Sequence, residues 1–437
     1  MRSKLLPLLL LVFLFLGVDC KDEPPVKPPV VPPPTVELAV ADTGVTEMWL
    51  TLKFTDANAP RGFAVLRNNV QVLSGLLAGS DTLLIDTTAQ PKQTYTYKAF
   101  RLDGAIRKDS STAIQATTLD TTSHNFTFEI DTLGDGASSI LYDVAIINDT
   151  LVYAVGEIYL KDSTGQIDPI LYNMVKWNGK KWSIERVKVN FRNNLITPAI
   201  EGIFAFSPTD IWLIGSLPIH GDGKNWEMFD LRSMAGLENI SLSKAWGVNS
   251  SSMYFVGRGG SIVRHTTDTW QKVESGTSLP INDIWGSYNK QTGAYEVLCV
   301  ASNQANNGGK KLLRIEGTNV TVLPDSGLSW ALSTMWFAPN KIHIVAGDGI
   351  YISKNLPVLW QRNISFPPYY KTSVRGNDVN DIVVVGVNGL FSHFNGITWQ
   401  HQFVLPNGGL GRCAIRGNMI SAVGETNNRT IILLGKR

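Results

Sequence analysis

Glu157, Tyr159, Lys161, Asp162 and Asp168 crowd into one polar stretch, EIYLKDSTGQIDP, residues 157 to 169. Carboxylates, a phenol and an ammonium so close together can grip a peptide or a sugar. Two carboxylates held ~5–10 Å apart could also hydrolyse a glycosidic bond. Arg258, Asp348 and Glu425 join them, because each directly follows a small residue that recurs along the chain. A different chemistry attaches to Cys20, which stands between an apolar leader and the run Lys21-Asp22-Glu23.

Other chemistries find no support. The six histidines form no H-x-x-x-H pair, so no zinc site is expected. GRGGSIVRH (Gly257 to His265) is a strand-to-strand turn, unlike a phosphate loop that opens a helix. DTLGDGAS (Asp131 to Ser138) lacks the spaced carboxylates of a calcium loop. No G-x-S-x-G nucleophile elbow occurs. No catalytic residue, metal or cofactor is therefore assigned. With 39 basic and 37 acidic residues and no basic stripe, nucleic acid is not an expected partner.

Arg2 and Lys4 precede the apolar run Leu5 to Val18, too short to span a bilayer comfortably and shaped like a secretory signal. Three cysteines in an exported chain make no disulfide framework. Cys20 resembles the acylated cysteine of bacterial lipoproteins, and Lys21-Asp22-Glu23 resembles a surface-export signal of some of them. The resemblance implies residues 1–19 as signal peptide, lipidation at Cys20, and an outer-membrane, surface-exposed location; free secretion is the alternative. Seven prolines between residues 24 and 34 favour an extended rod. Residues 20–35 then form a tether, reaching roughly 45 Å at ~3.1 Å per residue.

Short β-branched runs, 39 glycines and 12 tryptophans point to an all-β chain. In residues 36–119, Leu50, Leu52 and Phe54 alternate with Thr51 and Lys53, and GFAVLRNN closes on the turn pair Asn68-Asn69. AQPKQTYTYKAF puts Tyr95, Tyr97 and Ala99 on one face. This segment resembles a fibronectin type III domain, with Tyr95 at the tyrosine-corner position, where the phenol bonds back to upstream backbone. The resemblance implies a sandwich serving as a spacer.

Beyond residue 123 two markers recur. One is a strand ending in a small residue: VYAVG (Gly156), IWLIG (Gly215), MYFVG (Gly257), EVLCVA (Ala301), IHIVAG (Gly347), IVVVG (Gly386) and ISAVG (Gly424). The other is a turn before an aromatic: NGKKW (Trp182), DGKNW (Trp226), TTDTW (Trp270), KNLPVLW (Trp360) and NGITW (Trp399), with EGTNV (Val320) filling the missing beat. A four-strand unit of this period is a propeller blade, with strands a to d running outward. The last unit ends after strand c, and SHNFTFEID, residues 123–131, is spare to close the ring. The expectation is a seven-bladed β-propeller over residues 123–437. SKNLPVLW (Ser353 to Trp360) has Asp-box spacing. The segment resembles Asp-box/BNR propellers, including photosystem II assembly factor-like ones.

The recurring tryptophans occupy one blade position, as packing between blades requires. The b-to-c loops at 157–169 and 302–310 are long and polar, and such loops on a compact scaffold carry binding. Glu157, Ser216, Arg258, Ser302, Asp348, Val387 and Glu425 are expected to rim the channel mouth. The sequence thus favours a monomeric, non-catalytic binding or assembly module. It would be tethered to the membrane and recognise a protein or glycan of the cell envelope. The alternative is a carbohydrate-active enzyme, glycosidase or glucosyltransferase-like, on the same face.

Overall fold

The computed structural model describes residues 35–56, 61–135, 138–267, 269–354 and 359–437. The signal peptide, Cys20, the proline tether, and Asn355 to Val358 of SKNLPVLW lie outside the described residues.

Seven four-stranded antiparallel sheets make the larger part of the described chain. Their inner strands are Ile140–Asn148, Gly202–Ser207, Ser241–Asn249, Ile281–Asn289, Leu332–Ala338, Lys371–Asp378 and Gly408–Arg416. Each touches the next, and the last touches the first, so the sheets are the blades of a closed β-propeller. The last blade takes its outer strand from the N-terminal side: Thr127–Leu133 pairs antiparallel with Arg429–Lys436. Residues 123–126 do not join that pairing. His124 Nδ1 instead meets His393 Nδ1 at 2.8 Å on blade 6, and the Thr122 N–H donates to Asn395 O at 3.3 Å.

The recurring small residue has a steric cause. At the head of most inner strands a β-bulge shifts the register, as between Leu141 and Asp143 or Leu242 and Lys244. A backbone carbonyl is thereby pressed onto the b strand. A Cβ on Gly156, Gly257 or Gly424 would fall well inside contact distance of Ile140 O, Ser241 O or Gly409 O. The turn-and-aromatic marker is equally physical. Asn178, Asp222 and Asn395 each accept two backbone N–H groups with one side-chain oxygen, and the following glycines hold positive φ. The aromatics then pack inward: Trp360 is buried, Trp399 stacks on Phe394 at 5.0 Å, and Trp270 on His265 at 4.2 Å.

Residues 35–119 form two antiparallel sheets around one core that includes Leu50, Leu52, Phe54, Val65, Tyr97 and Ala99. Asn68 and Asn69 both take positive φ, as a two-residue hairpin turn demands. The Tyr95 hydroxyl accepts the Gln90 N–H at 2.9 Å.

This unit sits on the ring face made by a-to-b and c-to-d turns of blades 4 to 6. Asp42 pairs with Lys290 at 3.0 Å and Lys341 at 2.9 Å, Glu47 pairs with Lys354 at 2.6 Å, and Lys341 Nζ donates to Thr43 O at 2.8 Å.

Gly257→Ala should cost about 1–3 kcal/mol, because carbonyl and Cβ cannot share the space. Gly409→Ala, whose Cβ would make only ordinary contact with Val387, should cost less than about 0.5 kcal/mol. Urea unfolding of the two variants reads the difference; equal midpoints would remove the steric account.

Candidate functional site

Inside the ring, successive blades are stapled by side chains of the inner strands. The bulged residues of blades 4, 5 and 6 each donate to a carbonyl at the head of the next inner strand. Asn282 reaches Leu332 O at 2.8 Å, Ser333 reaches Lys371 O at 2.6 Å, and Thr372 reaches Leu410 O at 2.6 Å. The following residue accepts an N–H from the next blade. Asp143 takes Ile203, Asp283 takes Met335, Thr334 takes Val374, and Ser373 takes Cys413, at 3.1 to 3.3 Å.

Two ion pairs cross this belt. Lys244 Nζ reaches Asp143 at 2.7 Å, and Arg375 grips both oxygens of Asp283 at 2.8 and 2.9 Å. Burial raises the Asp283 carboxyl, but the Arg375 guanidinium outweighs it and holds the group below the usual carboxylate range. Arg412 adds a donor to Asn282 O at 3.0 Å. The channel is thereby bridged by charge in its middle.

Blades 1 and 2 break the pattern. The bulged residue of blade 1 is Tyr142, and its counterpart in blade 2, just ahead of Gly202–Ser207, is Glu201. The Tyr142 hydroxyl turns back to donate to Glu157 Oε1 at 3.0 Å. Tyr159 donates to Glu157 Oε2 at 3.4 Å. Glu201 accepts two bonds from Arg258 Nη2, at 3.1 and 3.2 Å. Burial first, and the Glu157 carboxylate next, push the Tyr142 hydroxyl up to about 12, and Glu201 adds to the shift. Tyr142, Glu157, Tyr159, Glu201 and Arg258 therefore form one patch on the face made by b-to-c and d-to-a loops.

The remaining residues proposed from sequence are dispersed. Asp162 Oδ1 caps its own turn, taking Thr164 N, Thr164 Oγ1 and Gln166 N. Asp168 takes Ile170 N and pairs with Arg186. Lys161 is exposed and its N–H is held by Asp135 at 2.8 Å. Asp348 accepts from Tyr351 at 3.0 Å within blade 5, and Glu425 is exposed on blade 7. Among the described residues neither forms a hydrogen bond or ion pair with Glu157 or Arg258.

Sequence reasoning missed Tyr142 and Glu201, which carry no motif of their own. It also missed a hairpin, Val189–Phe191 with Asn194–Ile196, inserted between blades 1 and 2 and linked by Arg192 to Asp230 at 2.7 Å. The wide interval between Gly156 and Gly215 was its signal. Ile167, Ile170 and Leu195, on the long loop and this hairpin, are 44, 53 and 64% exposed. Among the described residues no group of three His, Cys, Asp or Glu could share a metal ion.

Comparison places the ring among known folds. The chain is similar to a structure of YCF48 bound to D1 peptide, at 15% identity and TM-score 0.53, covering 72% of this chain and 99% of that one. It is also similar to YCF48 from Cyanidioschyzon merolae, at 14% identity and TM-score 0.49, covering 70% and 98%. The WD40 propeller of Doa1 follows at 11% identity and TM-score 0.48, covering 71% and 97%. No protein-family model and no curated protein matches the chain. The fold is a β-propeller, and identities so low show nothing finer.

Asp283→Asn should cost about 3–5 kcal/mol, since it strands the buried Arg375 charge. The wild-type carboxylate is depressed on folding, so its contribution is present above its unfolded value and lost as pH falls below about 4. Thermal melts should show the variant losing part of this acid sensitivity; an unchanged acid limb and midpoint would contradict the role given to the pair.

Proposed function

We propose that the chain is a non-catalytic binding or assembly module of the cell envelope that recognises a protein through the loop-bearing face of its propeller. The observation that carries this reading is the asymmetry of the two faces. The N-terminal unit occupies the turns of blades 4 to 6 on one face. The other face keeps the long loop, the inserted hairpin and the Tyr142 patch, which the other blades do without.

The chemistry of that patch supports a protein partner. Exposed Ile167, Ile170 and Leu195 lie on its loops, and tyrosines, acids and an arginine complete the mixture usual for protein interfaces. The YCF48 structure of similar fold holds a peptide. Catalysis is the weaker reading. A phenol raised to about 12 is moved away from nucleophilic use, and Arg258 beside it is engaged by Glu201.

We read residues 36–119 as a fibronectin type III-like spacer, in keeping with the Tyr95 bond to Gln90. Acylated Cys20 and the proline tether would hold it at the outer membrane. Strand Val36–Thr43 touches the ring only near its C-terminal end, so the tether leaves from the opposite end, about 25 Å away at ~3.3 Å per residue. The loop-bearing face would then point away from the membrane.

The double variant Tyr159→Ala, Leu195→Asp should keep its melting temperature within about 2 °C, as expected of surface changes, and lose co-purification of envelope proteins. Retention of the same partners would move the site elsewhere. Cys20→Ala should release the protein from membranes into the soluble fraction; sedimentation equal to wild type would end the lipid-anchor reading.

A further inference from the structure

Between the N-terminal unit and the closing strand, the chain crosses blade 6 as a short strap, residues 120–126. Thr122 gives its hydroxyl proton to Asn380 O and its N–H to Asn395 O. Asn380 Nδ2 returns a bond to Asp120 O at 2.9 Å. Phe126 packs on the rings of Phe391 at 5.6 Å and His393 at 5.1 Å. The middle of the strap is held by His124, whose Nδ1 meets His393 Nδ1 at 2.8 Å and whose Nε2 lies 3.2 Å from Thr398 Oγ1.

Two imidazole nitrogens at that distance share a single proton. What lies behind them decides which ring carries it. His393 is 1% exposed, and its Nε2 stands 2.9 Å from Asp381 Oδ1. Burial raises the Asp381 carboxyl, but His393, Arg437 and Asn377 outweigh it and keep the group below the usual carboxylate range. A carboxylate only accepts, so His393 Nε2 carries a proton. In the neutral pair His124 Nδ1 donates to His393 Nδ1, and the Thr398 hydroxyl donates to His124 Nε2. One added proton makes His393 an imidazolium backed by Asp381. His124 then changes tautomer, accepts at Nδ1 and donates from Nε2 to Thr398. A second added proton has no place, because it would set two N–H groups and two positive rings face to face.

The charged groups around the pair do not relieve this conflict. Arg437 of blade 7 stands 3.3 Å from His393 Nε2 and is itself positive. Asp381 is gripped by Arg437 as well as by His393. Asp120, at the start of the strap, pairs with Lys92 at 2.9 Å, and Asp378 on the inner strand takes the Val379 N–H at 2.6 Å. Burial first, and the His393 ring next, hold the His124 imidazole below the ordinary histidine value. The stability this contact contributes is therefore present above about pH 6.5, the value of a free histidine, and is lost as pH falls below it.

We propose that the His124–His393 pair is an acid-sensitive latch, which holds the strap on blade 6 at neutral pH and releases it when both rings are protonated. Release does not open the ring, because Thr127–Leu133 stays paired with Arg429–Lys436. Nor does it detach the N-terminal unit at once. Burial raises the Asp42 carboxyl, but Lys341 and Lys290 outweigh it and hold the group low, so these ion pairs outlast the latch. Acid thus loosens one of two attachments between the unit and the ring. The latch is separate from the loop-bearing face and stands whether or not that face binds a protein.

Hydrogen–deuterium exchange of the full chain at pH 7, 6 and 5, each rate divided by the intrinsic rate at that pH, tests the proposal. Residues 120–126 should exchange about tenfold faster at pH 5 than at pH 7, as exclusion of one proton from the closed state requires. Residues 127–133 should keep their protection throughout. His124→Gln has no ring to charge, so its exchange over 120–126, whether slow or fast, should not change between these pH values. Protection of residues 127–133 in the variant shows that its ring is intact, and the wild-type measurement stands without it. Wild-type exchange that is the same at pH 7 and pH 5 would overturn the latch. So would an equal acid response in His124→Gln, or opening of residues 127–133 together with the strap.

Discussion

Everything in this molecule hangs on how one inner strand is fastened to the next. A propeller has no central core; its blades meet along a narrow channel, and their polar backbone there must be satisfied across blade boundaries. The bulge at the head of most inner strands solves the problem. It lifts one residue out of register so that a side chain can reach the neighbouring strand. Asn282, Ser333 and Thr372 use it to reach the carbonyls of Leu332, Lys371 and Leu410. The same bulge presses a carbonyl onto strand b and so dictates glycine at Gly156, Gly257, Gly347 and Gly424.

The site follows from the places where this fastening is given up. Tyr142 and Glu201 stand at bulge positions but face Glu157 and Arg258 rather than the next blade's carbonyl. Gly411 leaves blade 7 without a staple as well, so what marks blades 1 and 2 is that the missing staple stands beside the longest loop and an inserted hairpin. The N-terminal unit reinforces the asymmetry. Its contacts with Lys290, Lys341 and Lys354 cover turns of blades 4 and 5.

How much of this could be read beforehand depended on whether sterics or partnership chose the residue. The glycine beat was legible because the pressed carbonyl permits almost nothing else, and Ala301 shows the one larger residue it tolerates. The turn beat was legible because Asn178, Asp222 and Asn395 each cap a turn from their own side chain. The staples were not. Asp143, Thr334 and Ser373 do the same work with different groups, and their acceptors lie a blade away in sequence. Acids read as rim residues divided for the same reason: Glu157 found a phenol across the bulge, whereas Asp162 was consumed by its own turn. The closing strand was visible as a spare apolar run, but its start was not, since His124 is drawn to His393 on blade 6.

The inequivalence of the two faces is the claim on which the functional account rests, and site-specific photo-crosslinking in intact cells tests it most directly. A photoreactive amino acid would be placed at position 159, on the loop-bearing face, and in a second strain at position 291, beside the N-terminal unit. The account predicts adducts with another envelope protein from position 159, and from position 291 only cross-links within the chain. Intermolecular adducts from position 291, with none from position 159, would contradict it.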